Sequence, residues 1–378
     1  MQTGIFSLQK RVEAFAELGK VMRDGAAGVT AGHAGRFAGL VDTLHLSNPW
    51  FTPDNVRRAV AAIGNNLTHE NLTRWLSAYP ETGSEKEPLT VGVVMAGNIP
   101  LVGFHDLLCV LITGNRLQAR VSTKDELLMK AVIETLISIE PAFETLTEVT
   151  TDRLKGFDMV IATGSNNSSR YFEYYFRNIP SIIRRNRNSL AIIEGTETAE
   201  ELELLGDDIF SYFGLGCRNV SSLYLPEGYD TTHLISHWAS WLRLREHHKY
   251  AVNYDHSKAV MIVNREPFTD TGFSLLRNDK SLTPPMAVVN YELYNDIGNV
   301  DRALESQKNL IQCVAGHGRM PFGKSQKPDY KDRLMGYYKA TTKSVPLKKT
   351  IMWALYQCKV KEAIPLFLDQ HAIVHSAR

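Results

Sequence analysis

Cysteine is scarce in this chain, with four in 378 residues. They stand at 109, 217, 313 and 358, and no two form a CxxC pair. A disulfide framework and a cysteine zinc site are excluded, and a reducing, cytoplasmic setting is expected. An excess of one charge is missing too. Lys+Arg 42 against Asp+Glu 41 leaves +1, so no bulk charge draws the chain to nucleic acid or a membrane surface. Long apolar runs are absent. The most apolar stretch, 100–113, is interrupted by His105 and Asp106, too short and too polar for a membrane span. The first ten residues lack the basic head and apolar run of a signal peptide. No repeat, no low-complexity tract and no GxGxxG fingerprint occurs. With 44% hydrophobic and 22% charged residues, what is left is an ordinary globular protein of one large domain or two.

Periodicity supplies the organisation. Ile5, Leu8, Val12, Phe15, Leu18 and Val21 recur at steps of three and four, which predicts a helix over 4–24. Asn48-Pro-Trp-Phe-Thr-Pro-Asp54 reads as a turn, with helices after it to Ile63 and over 70–79. Residues 80–88 are polar and rich in breakers, a linker. Then the texture changes. Short apolar strands at 90–96, 116–121, 159–162 and 189–193 alternate with helices at 101–112, 124–138 and 168–177. That alternation predicts an open parallel α/β sheet. Beyond 195, helices are expected at 199–213, 231–247 and 300–310, and strands at 221–225, 259–263 and 287–291.

Three short segments carry the chemistry. Cys217 sits in Ser211-Tyr-Phe-Gly-Leu-Gly-Cys-Arg-Asn-Val220, at a helix-to-strand turn. Such a turn exposes a sulfur and a backbone N–H, and Arg218 beside it favours a thiolate. Asn98 ends an expected central strand in Ala96-Gly-Asn-Ile-Pro-Leu101, where its amide can donate to a developing oxyanion. Thr163-Gly164-Ser165 joins a strand to a helix, and small residues at a helix N-terminus suit phosphate.

In order and spacing these segments resemble the aldehyde dehydrogenase superfamily. Asn98-Ile-Pro looks like its Asn-aromatic-Pro motif, and Arg120-Val-Ser-Thr like its Lys-Pro-Ser-Glu. Thr163-Gly-Ser looks like its pyrophosphate motif, Gly-Leu-Gly-Cys217 like its nucleophile motif, and Pro321-Phe-Gly like its late Pro-Phe-Gly. The resemblance spans roughly 90–340. Within it the chain is similar to the LuxC-type acyl-CoA reductases. The helical N-terminus with Asn48-Pro-Trp-Phe-Thr matches theirs. Aldehyde-oxidising members carry a Glu one strand and one helix before the Cys. Here Arg184 stands 33 residues before Cys217, in a stretch without an acid.

The resemblance implies an α/β aldehyde dehydrogenase-like fold with a Rossmann-type cofactor domain. It divides the chain into a helical segment 1–88, a cofactor domain 89–195, a catalytic domain 196–335 and a C-terminal segment 336–378. It implies reduction of a long-chain fatty acyl thioester, on CoA or a carrier protein, to an aldehyde through an acyl-Cys217. Asn98 then holds the oxyanion. Gly164, Ser165, Arg120, Ser122 and Lys124 bind NADPH, or NADH as the alternative. Thr123 replaces the acid that favours a ribose 2′-hydroxyl, which is why NADPH comes first. A homo-oligomer and a partner acyltransferase or synthetase are further implications, and no metal is expected. Two alternatives stay open: an aldehyde-oxidising enzyme using Glu194 or Glu197 as base, and a non-catalytic binding or assembly protein on the same fold. Arg184, Arg185 and Arg187 are weighed as a path for CoA phosphate against a solvated surface. Gly318-Arg-Met-Pro-Phe-Gly-Lys-Ser325 fits the P-loop pattern, but Pro328 falls where its helix must run.

Overall fold

A computed structural model describes residues 6–77, 79 and 88–326. Residues 80–87 of the expected linker, Cys358 and the C-terminal segment lie outside the described residues. The described chain forms two compact units. One takes in the chain up to Ser47 and Thr52–Arg185; the other takes in Asn48–Phe51 and 186–326.

The first unit begins with α1 (Leu8–Ala26), α2 (Gly32–Thr43), α3 (Pro53–Asn66) and α4 (His69–Leu76). Side-chain caps start three of them. Ser7, Thr52 and Thr68 accept from the amides of Lys10, Asn55 and Asn71, each cap contributing about 1 kcal/mol. The apolar face of α1 buries Phe15, Leu18 and Met22 completely. A parallel sheet follows, made of β1 (Thr90–Val94), β2 (Arg116–Arg120), β3 (Thr147–Thr150), β4 (Met159–Thr163) and β5 (Ser181–Arg184). Three helices cross between its strands: α5 (Phe104–Ile112), α6 (Glu126–Ile139) and α7 (Asn166–Tyr175). The N-terminal helices do not stand apart from this sheet. Buried Arg11 of α1 donates to the Ile112 carbonyl at the end of α5 at 2.8 Å.

Strand order in this sheet is β3-β2-β1-β4-β5. The chain builds outward from β1 in one direction, then returns to its other side. The switch point therefore lies beyond the carboxyl ends of β1 and β4, where open α/β sheets take their ligands.

The second unit contains β6 (Asn188–Ile192), α8 (Ala199–Phe210), β7 (Val220–Pro226), α9 (Thr231–Ser236) and α10 (His248–Asn264). It continues with β8 (Thr269–Asp270), β9 (Leu275–Asn278), β10 (Val288–Tyr294), α11 (Ile297–Gln307) and β11 (Ile311–Ala315). Its sheet runs β11-β6-β7-β10-β9-β8, parallel except for the β8–β9 pair. Thr198 and Glu201 close a capping box on α8. Trp238, Tyr250 and Phe273 fill the core on one side of the sheet.

Four expectations change. The strand at 189–193 does not extend the first sheet. It is β6, pairing with β7 and β11, so the units divide at 185/186 rather than at 195/196. Residues 259–263, rich in Val and Ile, are the last turns of α10 and not a strand. Tertiary context overrides β-propensity there. The helix expected to run to Phe213 stops at Phe210, because Tyr212 and Phe213 turn left-handed. The helix expected over 231–247 breaks into α9 and a 3₁₀ turn, Ala239–Glu246.

Candidate active site

The turn after β1 is built to close tolerance. Gly97 has no side chain because a Cβ there would lie 2.4 Å from the Ser122 hydroxyl. Leu101 is left-handed at φ 57 yet buried, and its N–H donates to the Asp125 carboxylate at 2.8 Å. Burial pushes the Asp125 carboxyl well above its ordinary range, against the pull of that N–H. Its other oxygen has no partner among the described residues, so the protonated form is favoured. Asn98 stands exposed on this turn.

Around the switch point the expected cofactor residues gather at the carboxyl ends of β1, β2 and β4. Ser122 packs on Gly97 and accepts from the Lys124 amide. Arg120 and Lys124 are exposed on either side of Thr123, and Arg120 Nε reaches the Thr151 carbonyl at 3.4 Å. Gly164 N–H donates to the Arg184 carbonyl. Ser165 is the N-cap of α7, its hydroxyl accepting from Ser168 N–H. The donor set fits a dinucleotide. A helix N-terminus there could take an anion, exposed cations flank a position without an acid, and the acid beside them, Asp125, is turned inward.

The position that the resemblance sets against the base of aldehyde-oxidising enzymes holds Arg184. Arg184 ends β5 and pairs with the buried Asp106 carboxylate at 2.5 Å. Arg185 pairs with Glu173 at 2.6 Å. Of the three arginines, Arg187 alone lines the cavity described next.

That cavity, of about 270 Å³, lies in the second unit and contains Cys217 in its wall. Aromatic and aliphatic groups line it, Phe210, Phe213, Leu215 and Met286 among them, together with polar residues that include Asn186, Asn188, Ser221, Ser274 and Thr283. No carboxylate and no histidine is among its lining residues. Glu197, one of the two candidate bases, is spent on the amides of Glu194 and Gly195. Glu194, the other, is outside the lining.

The Cys217 turn stores strain. Tyr212 (φ 54) and Phe213 (φ 59) are left-handed, each at about 1–2 kcal/mol for a bulky residue. Aromatic packing offsets this. Phe213 meets His247 at 4.3 Å and Trp50 at 5.2 Å between ring centroids. The Asn48–Phe51 turn thus packs on the Cys217 turn, a contact the sequence did not disclose. Cys217 itself is half-buried, and its carbonyl accepts from Ser189 Oγ at 2.9 Å.

Arg218 does not behave as expected. Its buried guanidinium donates to the Ser325 carbonyl at 3.2 Å, and its charge acts on Cys313. Burial still wins there and pushes the Cys313 thiol up. Ser325 is also held by buried Asp208, which takes both its hydroxyl (2.6 Å) and its N–H (3.0 Å). Desolvation raises the Asp208 carboxyl, and these donors pull it back only in part. The P-loop pattern is thereby accounted for. Its Ser is buried and pinned, and 318–325 runs as turns. Among the described residues no cluster of His, Cys, Asp or Glu could hold a metal, and no helix is long and apolar enough to cross a membrane.

Neither a family model nor a curated protein sequence matches the chain. Solved structures do match. Aldehyde dehydrogenase 21 from Physcomitrella patens, in complex with the reaction product succinate, is similar over 78% of this chain and 74% of its own, at 13% identity and a TM-score of 0.56. NADP-dependent glyceraldehyde-3-phosphate dehydrogenase from Bacillus halodurans, complexed with NADP, is similar over 82% and 78%, at 14% identity and 0.55. An oxidoreductase from Marinobacter aquaeolei reaches 0.58 at 10% identity, over 83% and 79%. The chain therefore has the aldehyde dehydrogenase-like fold, with a Rossmann-like parallel sheet, a second sheet and a helical N-terminus.

Proposed function

We propose that the protein is a nicotinamide-dependent oxidoreductase of aldehyde-level chemistry that works as a reductase of acyl thioesters. One observation carries the direction: among the described residues that line the cavity around Cys217 there is no carboxylate to activate water. Cys217 thiolate attacks the thioester carbonyl, the C–S bond to CoA or a carrier protein breaks, and an acyl-Cys217 forms. The Cys217 N–H, which donates to nothing among the described residues, would hold the oxyanion, and the motif resemblance gives the Asn98 amide the same role. With no base beside it, the new thioester persists. A bound nicotinamide would supply a hydride to the acyl carbon, and the Cys217 sulfur would leave as thiolate to release the aldehyde. Gly164 and Ser165 would hold the cofactor's pyrophosphate at the start of α7, and Ser122 would position the turn beside it. Arg120 and Lys124 would favour the 2′-phosphate of NADPH. The lining of Phe210, Phe213 and Met286 suits an apolar acyl chain, and Arg187 is the group suited to CoA phosphate.

Long-chain acyl-CoA mixed with the enzyme should release one equivalent of CoA in a burst, then almost stop. A positioned base would accelerate hydrolysis by about 10²–10⁴-fold, so the slow phase measures its absence. Adding NADPH should discharge the acyl group as aldehyde. Steady release of fatty acid without NADPH would overturn the reductase reading in favour of aldehyde oxidation.

A further inference from the structure

Asn219, two residues past the nucleophile, is buried and makes five contacts that all serve one turn. Its side-chain amide nitrogen donates to the carbonyls of Asp208, Ile209 and Ser211 at 3.1, 3.2 and 2.8 Å. The first two lie in the last turn of α8, whose carbonyls lack helical partners, and the third belongs to its C-cap. Its side-chain oxygen accepts from Gly216 N–H at 2.9 Å. Its own backbone N–H donates to the Gly216 carbonyl at 3.0 Å. One residue thus joins the end of the strained segment 211–214 to the peptide that carries Cys217.

The last contact has a directional consequence. A trans peptide is planar, so its C=O and N–H point to opposite sides. With the Gly216 carbonyl drawn to Asn219, the Cys217 N–H of that same peptide faces away from Asn219. It has no acceptor among the described residues, and Cys217 lines the cavity. We infer that Asn219 is a positioning residue, which fixes the Gly216–Cys217 peptide so that the Cys217 N–H serves as an oxyanion donor. This rests on the reading of Cys217 as the nucleophile.

Two reagents separate this role from plain structural support. p-Nitrophenyl acetate acylates a thiolate. Sulfur bonds to the carbonyl carbon, an oxyanion forms, and p-nitrophenolate leaves. Iodoacetamide alkylates the same sulfur by displacing iodide from a CH₂, and no oxyanion forms. In Asn219→Ala the acylation rate should fall about tenfold or more relative to the alkylation rate, since misaligning one oxyanion donor acts on acylation alone. Trp238→Phe is the control. It removes a buried N–H that donates to the Leu202 carbonyl in α8, and it should lower the melting temperature while leaving the ratio of the two rates unchanged. Should Asn219→Ala not fold, Asn219→Leu replaces it. That variant keeps the volume but loses the donors to three carbonyls and the acceptor of the Gly216 N–H, and must also lower the ratio. An unchanged ratio in a folded Asn219 variant, or an equal fall with Trp238→Phe, overturns the inference. Wild-type protein labelled at Cys109 or Cys313 and not at Cys217, located by peptide mass, instead overturns the nucleophile on which it rests.

Discussion

Two turns hold the residues of the proposed chemistry, and they are anchored by opposite means. The Asn98 turn bends at left-handed Leu101, and a buried carboxyl, Asp125, holds it through one N–H. The Cys217 turn bends at left-handed Tyr212 and Phe213, and a neutral amide, Asn219, holds it through several bonds. Both place a bulky residue where glycine is usual, and such strain persists only where the surroundings over-determine it. The difference lies in what the solvent can reach. An amide does not titrate, so the anchor of the Cys217 turn is independent of pH. The Asp125 carboxyl does titrate, and its burial ties the Asn98 turn to the proton concentration.

The comparison is sharpest at the nucleophile. Cys217→Ala should abolish turnover in a folded protein, because covalent catalysis has no substitute for the thiolate. Mass spectrometry of wild type with acyl-CoA alone should find the acyl adduct on the Cys217 peptide. An adduct on Cys313, whose thiol is raised by burial and bonded to Ser189, would reassign the chemistry within the same unit. At the other turn, Asn98→Ala should lower kcat by about 10²–10³, roughly 2.7–4 kcal/mol, with little change in NADPH affinity. A collapse of NADPH affinity at constant kcat would make Asn98 a cofactor-side residue and break the pairing of the two turns.

A subtler test uses pH. The folded Asp125 carboxyl titrates well above its ordinary 3.8. The folded state therefore holds a proton that the unfolded chain has released. Stability from this group is full below that ordinary value and is lost as pH rises toward the raised one, by up to about 1.4 kcal/mol per pH unit. Asp125→Asn keeps an oxygen for the Leu101 N–H and removes the titration. Melting curves at pH 5 and pH 8 should show a smaller pH difference than wild type, with the variant the more stable at pH 8. Asp208, raised in the same direction, leaves a residual slope. Asn219→Ala should lose the same stability at both pH values. A wild-type slope in Asp125→Asn would remove the distinction between the two anchors.

The sequence made the first sheet legible because its strands are short apolar runs between breakers, and β1, β2 and β4 lie close to where alternation puts them. It made Cys217, Asn98 and the Thr163–Ser165 turn stand out because each follows a recognisable element end. It did not show β6 leaving that sheet, since Ser189-Leu-Ala-Ile reads alike in either one. It did not show α2, whose Gly-rich sequence is a poor helix former held by buried Phe37 and Val41. Partners far apart in sequence were invisible as well. Arg184 with Asp106, Trp50 with Phe213, and Arg218 turned to Ser325 are long-range pairings that no local pattern encodes.

The smallest effect is expected at Ser165, and it tests whether the first unit's switch point is a phosphate site at all. Ser165→Ala removes the N-cap of α7, at a cost of about 1 kcal/mol. That loss alone says nothing about a ligand, because a plain cap predicts it too. Ser165→Asp separates the two. Aspartate is as good a cap as serine, so the helix start and the melting temperature should be kept. Its negative charge, however, stands where a phosphate would meet the first amides of α7. Repulsion there should weaken NADPH binding by about tenfold or more, most strongly at low ionic strength. Titration of the protein's fluorescence with NADPH in the three proteins reads both quantities side by side with their melts. Unchanged NADPH affinity in a fully stable Ser165→Asp would leave Ser165 a helix cap only, and the dinucleotide would have to be sought elsewhere along the carboxyl ends of β1 and β2.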